Sequence, residues 1–431
     1  MTELKTSNSG VVIVGAGPAG IAAAVRAAEC GKQVTLVDDN PAEGGQIWRG
    51  GQGNASTRQA AKWFTKLRDS GASIRTGARI IAADPIARTL RAETSDSAFD
   101  IDYGTLILAT GARELFLPFP GWTLPNVMGC GGLQGLVKAG LPVQGKRIVV
   151  AGSGPLLLAV ASQLRNYGAS VQMVVEQAGW GSLVGFGLSL GRRPGKLWQA
   201  LALKVSLGST PYLPGSWVRA AEGVDQLNRV QIQNGSKTHL VDCDYLALAY
   251  GFVPNTELAQ LLDCQLSNGF AAVDEYQHST SRGVFCAGEL TGLGGVERSL
   301  VEGQIAGYAA GGRDDLARNH FPERERLRQF AKRLNRAFRL RKELRELPDP
   351  QTIVCRCEDV RYGECGESDC WRSAKLHLRC GMGPCQGRIC GPATQFLFGW
   401  KHESIRPPAF PARVSSLVSE PTHSNEKGAC K

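Results

Sequence analysis

At 431 residues the chain has room for roughly two or three domains, and its 53 glycines suit nucleotide-binding turns better than disorder. No apolar run reaches the roughly 18 residues of a membrane span, and the polar start MTELKTSNSG lacks a signal-peptide core, so a reduced cytoplasm is the expected setting, with any membrane association made through partners. The net charge of +10 is concentrated in 313–347, where twelve Arg and Lys face six Asp and Glu; with no interleaved aromatics this excludes a nucleic-acid reading and leaves a protein partner or a solvated face.

The first elements form a unit. VVIV at 11–14 is all apolar, as a buried parallel strand is, and Gly15-Ala16-Gly17-Pro18-Ala19-Gly20 follows at once. An alanine-rich helix runs to Cys30, and a second strand at 33–37 ends on Asp38. Strand, GxGxxG, helix, strand and acid, with about twenty residues from turn to acid, predict a dinucleotide site. Gly15 permits the tight turn, Gly17 lets a pyrophosphate approach the backbone, and Gly20 lets helix pack on strand, while Asp38 accepts the ribose hydroxyls. Three further stretches favour FAD over NAD. Gln46, in Glu43-Gly44-Gly45-Gln46, can cover a ribityl chain. The strand 105–111 ends with Ala109, Thr110 and Gly111 against the cofactor. A strand at 284–289 ends in Gly288-Glu289, ahead of a helix whose N-terminus would face the flavin pyrimidine. Glu289 is either a ribityl ligand or a local cap.

The pattern then repeats. A strand at 147–151 leads into Gly152-Ser153-Gly154-Pro155-Leu156-Leu157, a helix, and a strand ending at Glu176. Leu157 stands where the third glycine belongs, so the fold signal is strong and the NAD signal poor. The stretch 244–256 echoes the strand at 105–111 and would return the chain to the first unit. Residues 178–216, with Trp180, Trp198, Arg192, Arg193 and Lys196, read as a partner surface or a surface excursion. A helix is expected over 322–347, from Pro322 to just before Pro348, with Leu327, Phe330, Leu334, Phe338 and Arg341 near one face.

Seven of the thirteen cysteines fall between Cys355 and Cys390. The CxC of Cys355 and Cys357 and the Cx4C of Cys385 and Cys390 offer four thiolates in two pairs, which hold zinc or an iron–sulfur cluster. CxC is unusual for structural zinc, and the glycines at 381, 383, 387 and 391 let amides approach sulfur. Cys380 is the main rival ligand, while Cys30, Cys130, Cys243, Cys264 and Cys286 read as core thiols. His377 reads as a surface residue. The tail 401–431, with its Arg406-to-Pro411 run, is expected to be extended, lying on the body or on a partner.

Taken together, GAGPAG, GGQIW, ATGAR, AGSGPLLL, CRCED and RCGMGPCQGRICGP resemble the larger FAD-containing subunit of opine oxidases, hydrogen cyanide synthase and dye-linked proline or hydroxyproline dehydrogenases, over about 10–410. The resemblance implies an α/β architecture of glutathione-reductase-like tandem Rossmann-type domains with a small helical module like bacterioferritin-associated ferredoxin. The expected parts are an FAD-binding domain at 10–118 and 281–312, a second Rossmann domain at 119–280, a linker helix at 313–349, the module at 350–400 and a tail at 401–431. It implies that Cys355, Cys357, Cys385 and Cys390 hold [2Fe-2S], and Gly15, Gly17, Pro18, Ala19, Gly20 and Asp38 hold FAD; in some relatives another adenine nucleotide takes that place. It also implies a heteromeric complex with a second flavoprotein subunit resembling glycine or sarcosine oxidase, joined in some cases by a small ferredoxin-like subunit, the whole using a small-molecule amine as substrate. No residue of this chain stands out as the catalytic one. The rival expectations are a free-standing NAD(P)H-dependent flavoprotein reductase and a zinc-stabilised nucleotide-binding scaffold.

Overall fold

Two five-stranded parallel sheets carry most of the chain. The computed structural model describes residues 10–51, 57–189, 207–401 and 405–418, together with Gly195 and Val205. The first sheet runs in the order Val284–Cys286, Thr105–Leu108, Val11–Val14, Val34–Val37, Ser73–Arg75. Its central strand VVIV is buried on both faces: Val11 and Ile13 enter one apolar cluster with helices Pro18–Glu29 and Arg58–Asp69, while Val12 and Val14 enter another with the antiparallel strands Arg79–Asp84 and Thr89–Glu93. A strand sandwiched this way has no polar side, which is why it reads as an unbroken apolar run.

Helix Gly295–Ala310 lies directly on helix Pro18–Glu29. A Cβ on Gly303 would come 2.1 Å from the Ala19 carbonyl oxygen, and one on Gly307 would come 2.4 Å from that of Ala23, so only glycine allows this backbone-to-backbone approach. The contact fixes the N-terminus of the later helix beside the first glycine turn.

The second sheet repeats the plan in the order Tyr212–Pro214, Ser170–Glu176, Arg147–Gly152, Tyr245–Ala249, Val127–Gly129, flanked by the antiparallel strands Ser216–Glu222, Arg229–Asn234 and Lys237–Asp242. The chain passes between the two sheets on a pair of antiparallel strands, Ala112–Glu114 and Phe252–Pro254. The return to the first unit was expected at 281. Leu258, Leu262, Cys264 and Ala271 already sit in the apolar cluster beneath the first sheet, so we place the return at the paired strands.

The single helix expected over 322–347 is also corrected. The helix spans Phe321–Ala337, and a short 3-10 turn follows at Lys342–Glu346. Between them the backbone is captured by the second sheet. Ser153 Oγ donates to the Phe338 carbonyl at 3.0 Å, Gln177 Nε2 donates to the Arg339 carbonyl at 3.2 Å, and the Arg341 amide donates to Gln177 Oε1 at 3.1 Å. These outside partners replace the helical bonds that the sequence pattern alone would continue.

The cysteine-rich end forms a small module around Val354, Val360, Ala374 and Trp400, with helices Trp371–Leu378 and Cys390–Phe398. Trp122 Nε1 donates to the Ile353 carbonyl at 2.6 Å and Arg113 Nε to the Arg388 carbonyl at 3.1 Å, fastening the module to the body. The tail lies on the body as well: the Ala409 amide bonds to Ile81, and Arg413 caps the Thr94–Ser97 carbonyls and Glu93. In the region 178–216, helix Trp180–Ser189 holds Trp180, Val184 and Leu188 exposed, whereas Arg192, Arg193, Lys196 and Trp198 lie outside the described residues. No helix among the described residues is long and apolar enough to cross a membrane.

Candidate dinucleotide pocket and cysteine centre

A cavity of about 310 Å³ opens at the carboxyl ends of the first sheet's strands, within the usual range of ligand pockets and at the usual place for one in an open parallel sheet. Ten expected residues line it: Gly15, Gly17, Pro18, Ala19, Asp38, Gln46, Ala109, Thr110, Gly111 and Glu289. Gly20 and Gly288 stand just behind. A Cβ on Gly20 would lie 1.7 Å from the Gly15 carbonyl oxygen, and one on Gly288 would lie 2.8 Å from Ala19 Cβ. Gly15 has φ +105°, and its Cβ would strike the Ala109 carbonyl at 2.3 Å; nothing stands within 4 Å of a Cβ on Gly17. That open space above Gly17 is where a pyrophosphate approaches amides at a helix N-terminus. The turn thus fits a dinucleotide.

Asp38 is held rather than free to swing. Its Oδ2 accepts from the Ala16 amide at 2.5 Å, and its Oδ1 accepts from the Asn40 amide at 2.8 Å and side chain at 2.7 Å. Glu289 caps the facing helix by accepting from the Gly295 amide at 3.3 Å while lining the cavity, and burial pushes its carboxyl above the ordinary range. The choice between cap and cofactor wall therefore does not arise for Glu289, which is both.

Some of the site was not apparent from the sequence. Glu302 is fully buried, accepts from the Gly288 amide at 3.2 Å and from Thr291 Oγ1 at 2.6 Å, and pairs with Arg298 at 2.9 Å. It holds the 288–291 turn against the cofactor-facing helix. Arg113 pairs with Glu257 at 2.9 Å, and Arg388 lies 3.6 Å from the same carboxylate. Arg79, Asn255, Glu257, Arg388 and Phe410 complete the cavity wall. These residues come from distant segments, and no local motif marks them.

In the module, the thiols of Cys355, Cys380 and Cys390 lie within 4.8 Å of one another, all buried. Cys385 contacts Cys390 and Cys357, and Cys365 contacts Cys380. Cys357 is exposed and Cys385 half-buried. The four expected ligands are thus brought together, with Cys380 in closer company than its rival status suggested. Contact with Cys390 and other donors holds the Cys385 thiol down at about 5, and contacts with Cys380 and Cys390 hold Cys355 well below the thiol range. The Gly381 amide points at Cys355 Sγ at 3.5 Å, and a Cβ on Gly383 would fall 2.3 Å from Cys357 Cβ. Clustered thiols with converging amides fit a sulfur-ligated metal centre. Cys130, Cys243, Cys264 and Cys286 are buried away from this centre, Cys30 is half-buried, and His377 is exposed.

The family model for pyridine nucleotide-disulphide oxidoreductases matches residues 9–310. The chain belongs to this family: it is an oxidoreductase whose family membership implies a bound FAD. Within that class it belongs with the large subunits of hydrogen cyanide synthase and opine oxidase. It is 31% identical to the HcnB subunit of hydrogen cyanide synthase from Pseudomonas aeruginosa, over 88% of this chain and 90% of that protein. It is likewise 31% identical to an opine oxidase subunit of Rhizobium meliloti, over 94% of this chain and 98% of that one. The fold matches the crystal structure of L-proline dehydrogenase from P. horikoshii with TM-score 0.70 at 20% identity, covering 95% of this chain and 79% of that one.

Proposed function

We propose that this chain is the electron-handling subunit of a heteromeric amino acid or opine oxidoreductase, acting on a CH–NH or CH–NH2 donor, and that it carries FAD at the first glycine turn and [2Fe-2S] on Cys355, Cys357, Cys385 and Cys390. The observation that carries this reading is that the cysteine centre stands on the wall of the dinucleotide cavity: Arg388, between Cys385 and Cys390, lines it. When bound, a flavin supplies two-electron chemistry and an iron pair supplies one-electron chemistry, so the two together suit transfer from an organic donor to a one-electron carrier. The chain's own residues would hold the pyrophosphate on the amides after Gly15, fix the ribose on Asp38, and keep the thiols dry beneath Trp371 and Trp400. A second flavoprotein subunit resembling glycine or sarcosine oxidase, with or without a small ferredoxin-like subunit, would meet the amine. The names of the relatives, subunits of hydrogen cyanide synthase and of opine oxidase, support such a partner.

The stand-alone NAD(P)H reductase is disfavoured by the second turn, where Phe338 and Arg339 lie against Ser153 and Gln177. Anaerobic mixing with NADH tests this: slow or absent flavin bleaching is expected, and prompt bleaching with turnover would establish the rival. A visible spectrum with iron and acid-labile sulfide analysis tests the centres. A flavin band at about 450 nm with iron and sulfide is expected; zinc in their place would leave only a scaffold. Cys355→Ser should remove the iron and leave the flavin.

A further inference from the structure

One side chain belongs to both centres. Arg388 sits in the loop between Cys385 and Cys390, and its guanidinium lines the dinucleotide cavity. Nη1 donates to the Cys385 carbonyl at 3.2 Å, and Nη2 donates to the Ala409 carbonyl. Nε has no partner although it is buried, because Glu257 Oε1 stands 3.6 Å away and is already paired with Arg113 at 2.9 Å. Two guanidinium groups therefore share one carboxylate at this end of the cavity, and a buried donor is left over. The face of the Arg388 guanidinium covers the Phe410 ring at 4.0 Å, and Arg79, which also lines the cavity, stands 5.6 Å from that ring. The position along the cavity is informative. In a strand–turn–helix site the pyrophosphate lies over the glycines and the ribose at the acid, so the base lies beyond. Beyond Asp38 the wall is made by Ala78, Arg79, Phe410 and Arg388.

We propose that Arg388 is a contact for the adenosine-diphosphate half of the bound dinucleotide, offering its unpaired Nε–H and its guanidinium face. Through Nη1 on the Cys385 carbonyl, the same residue transmits occupancy of the cavity to the cysteine loop. The proposal rests on the reading above, in which the cavity takes FAD and the thiols hold an iron–sulfur cluster.

The test uses full-length, cluster-loaded, flavin-depleted protein. ADP carries the adenosine half and absorbs nothing in the visible, so a change in visible circular dichroism on adding it reports the cluster alone. ADP should alter that spectrum saturably in the wild type, and FMN, which lacks adenosine, should not. Arg388→Met should raise the Kd for FAD about tenfold, the scale of one charge-assisted hydrogen bond, and should abolish the ADP response; Arg388→Lys should restore part of the affinity. Unchanged FAD affinity in Arg388→Met, or ADP binding to the wild type without a spectral change, would overturn the proposal. The wild-type ADP measurement decides the matter even where the methionine variant fails to fold. Wild-type protein that takes up no FAD, or forms no cluster, would instead defeat the underlying reading and the proposal with it.

Discussion

The two glycine turns of this molecule begin alike and part after their fifth residue. Gly15 and Gly152 both have positive φ, and a Cβ on either would strike the neighbouring strand, at 2.3 Å from the Ala109 carbonyl and 2.2 Å from that of Ala249. Each turn sends an amide to the acid that ends the next strand, Ala16 to Asp38 at 2.5 Å and Gly154 to Glu176 at 2.7 Å. At the third glycine position they diverge. Gly20 lies under the Gly15 carbonyl and the helix starts at Pro18, whereas Leu157 is buried in the core of the second sheet and its helix starts at Leu156. Above the turns the contrast continues: the space at Gly17 is open, and Gly154 faces the Phe338 ring at 3.9 Å. The first glycine and the acid thus answer to the fold, and the third glycine and the space above answer to the ligand.

Exchanging residues between the turns tests that division. Gly20→Leu would place a side chain 1.7 Å from a backbone oxygen, and should cost more than about 4 kcal/mol and abolish flavin binding; flavin content and thermal unfolding measure it, and a stable yellow variant would break the comparison. The reverse change, Leu157→Gly, should cost about 3–5 kcal/mol by emptying the core and loosening the helix. It should still bind no NADH by calorimetry, because Phe338–Arg341 remains over the turn; a gain of NADH binding would show that the third position alone decides.

Glu176 sharpens the comparison through pH. Burial, outweighing two backbone hydrogen bonds, raises its carboxyl from 4.5 to about 7. The unfolded chain releases this proton first, so the stability it contributes is fully present below pH 4.5 and is lost as pH rises through about 7. The loss amounts to at most about 3 kcal/mol. Glu176→Gln should flatten that slope in denaturant titrations between those pH values, and an unchanged slope would assign the dependence elsewhere. The smallest effect is expected from Ser153→Ala, which leaves the Phe338 carbonyl short of its donor. It should cost about 1–2 kcal/mol and speed hydrogen exchange at Arg339–Arg341.

Much of this was legible in the chain. The apolar run at 11–14, the glycine spacing and Asp38 carry their own local physics, and each stands where its pattern requires. The thiol centre was equally readable, because its ligand types are scarce and closely spaced. What escaped notice depends on contacts between remote segments. The helix after Pro322 keeps its amphipathic pattern past Ala337, yet Ser153 and Gln177 from another unit end it. Cys380 looked secondary by spacing and lies between Cys355 and Cys390 in space. Arg388 and Phe410 join the cavity only because the module and the tail fold back onto the first sheet, and no periodicity announces that.

The second unit hangs from the first on a narrow neck, with Ala112–Glu114 and Phe252–Pro254 running side by side and Glu114 opposite Phe252. A segment that leaves and re-enters through neighbouring ends can be cut out and the stump closed with a short hairpin. The cost would be the surface it shares with the 338–341 stretch and with Trp122 beneath the module. Such an architecture invites grafting: a different insert could be set on the same stem while the cofactor cradle below keeps its shape.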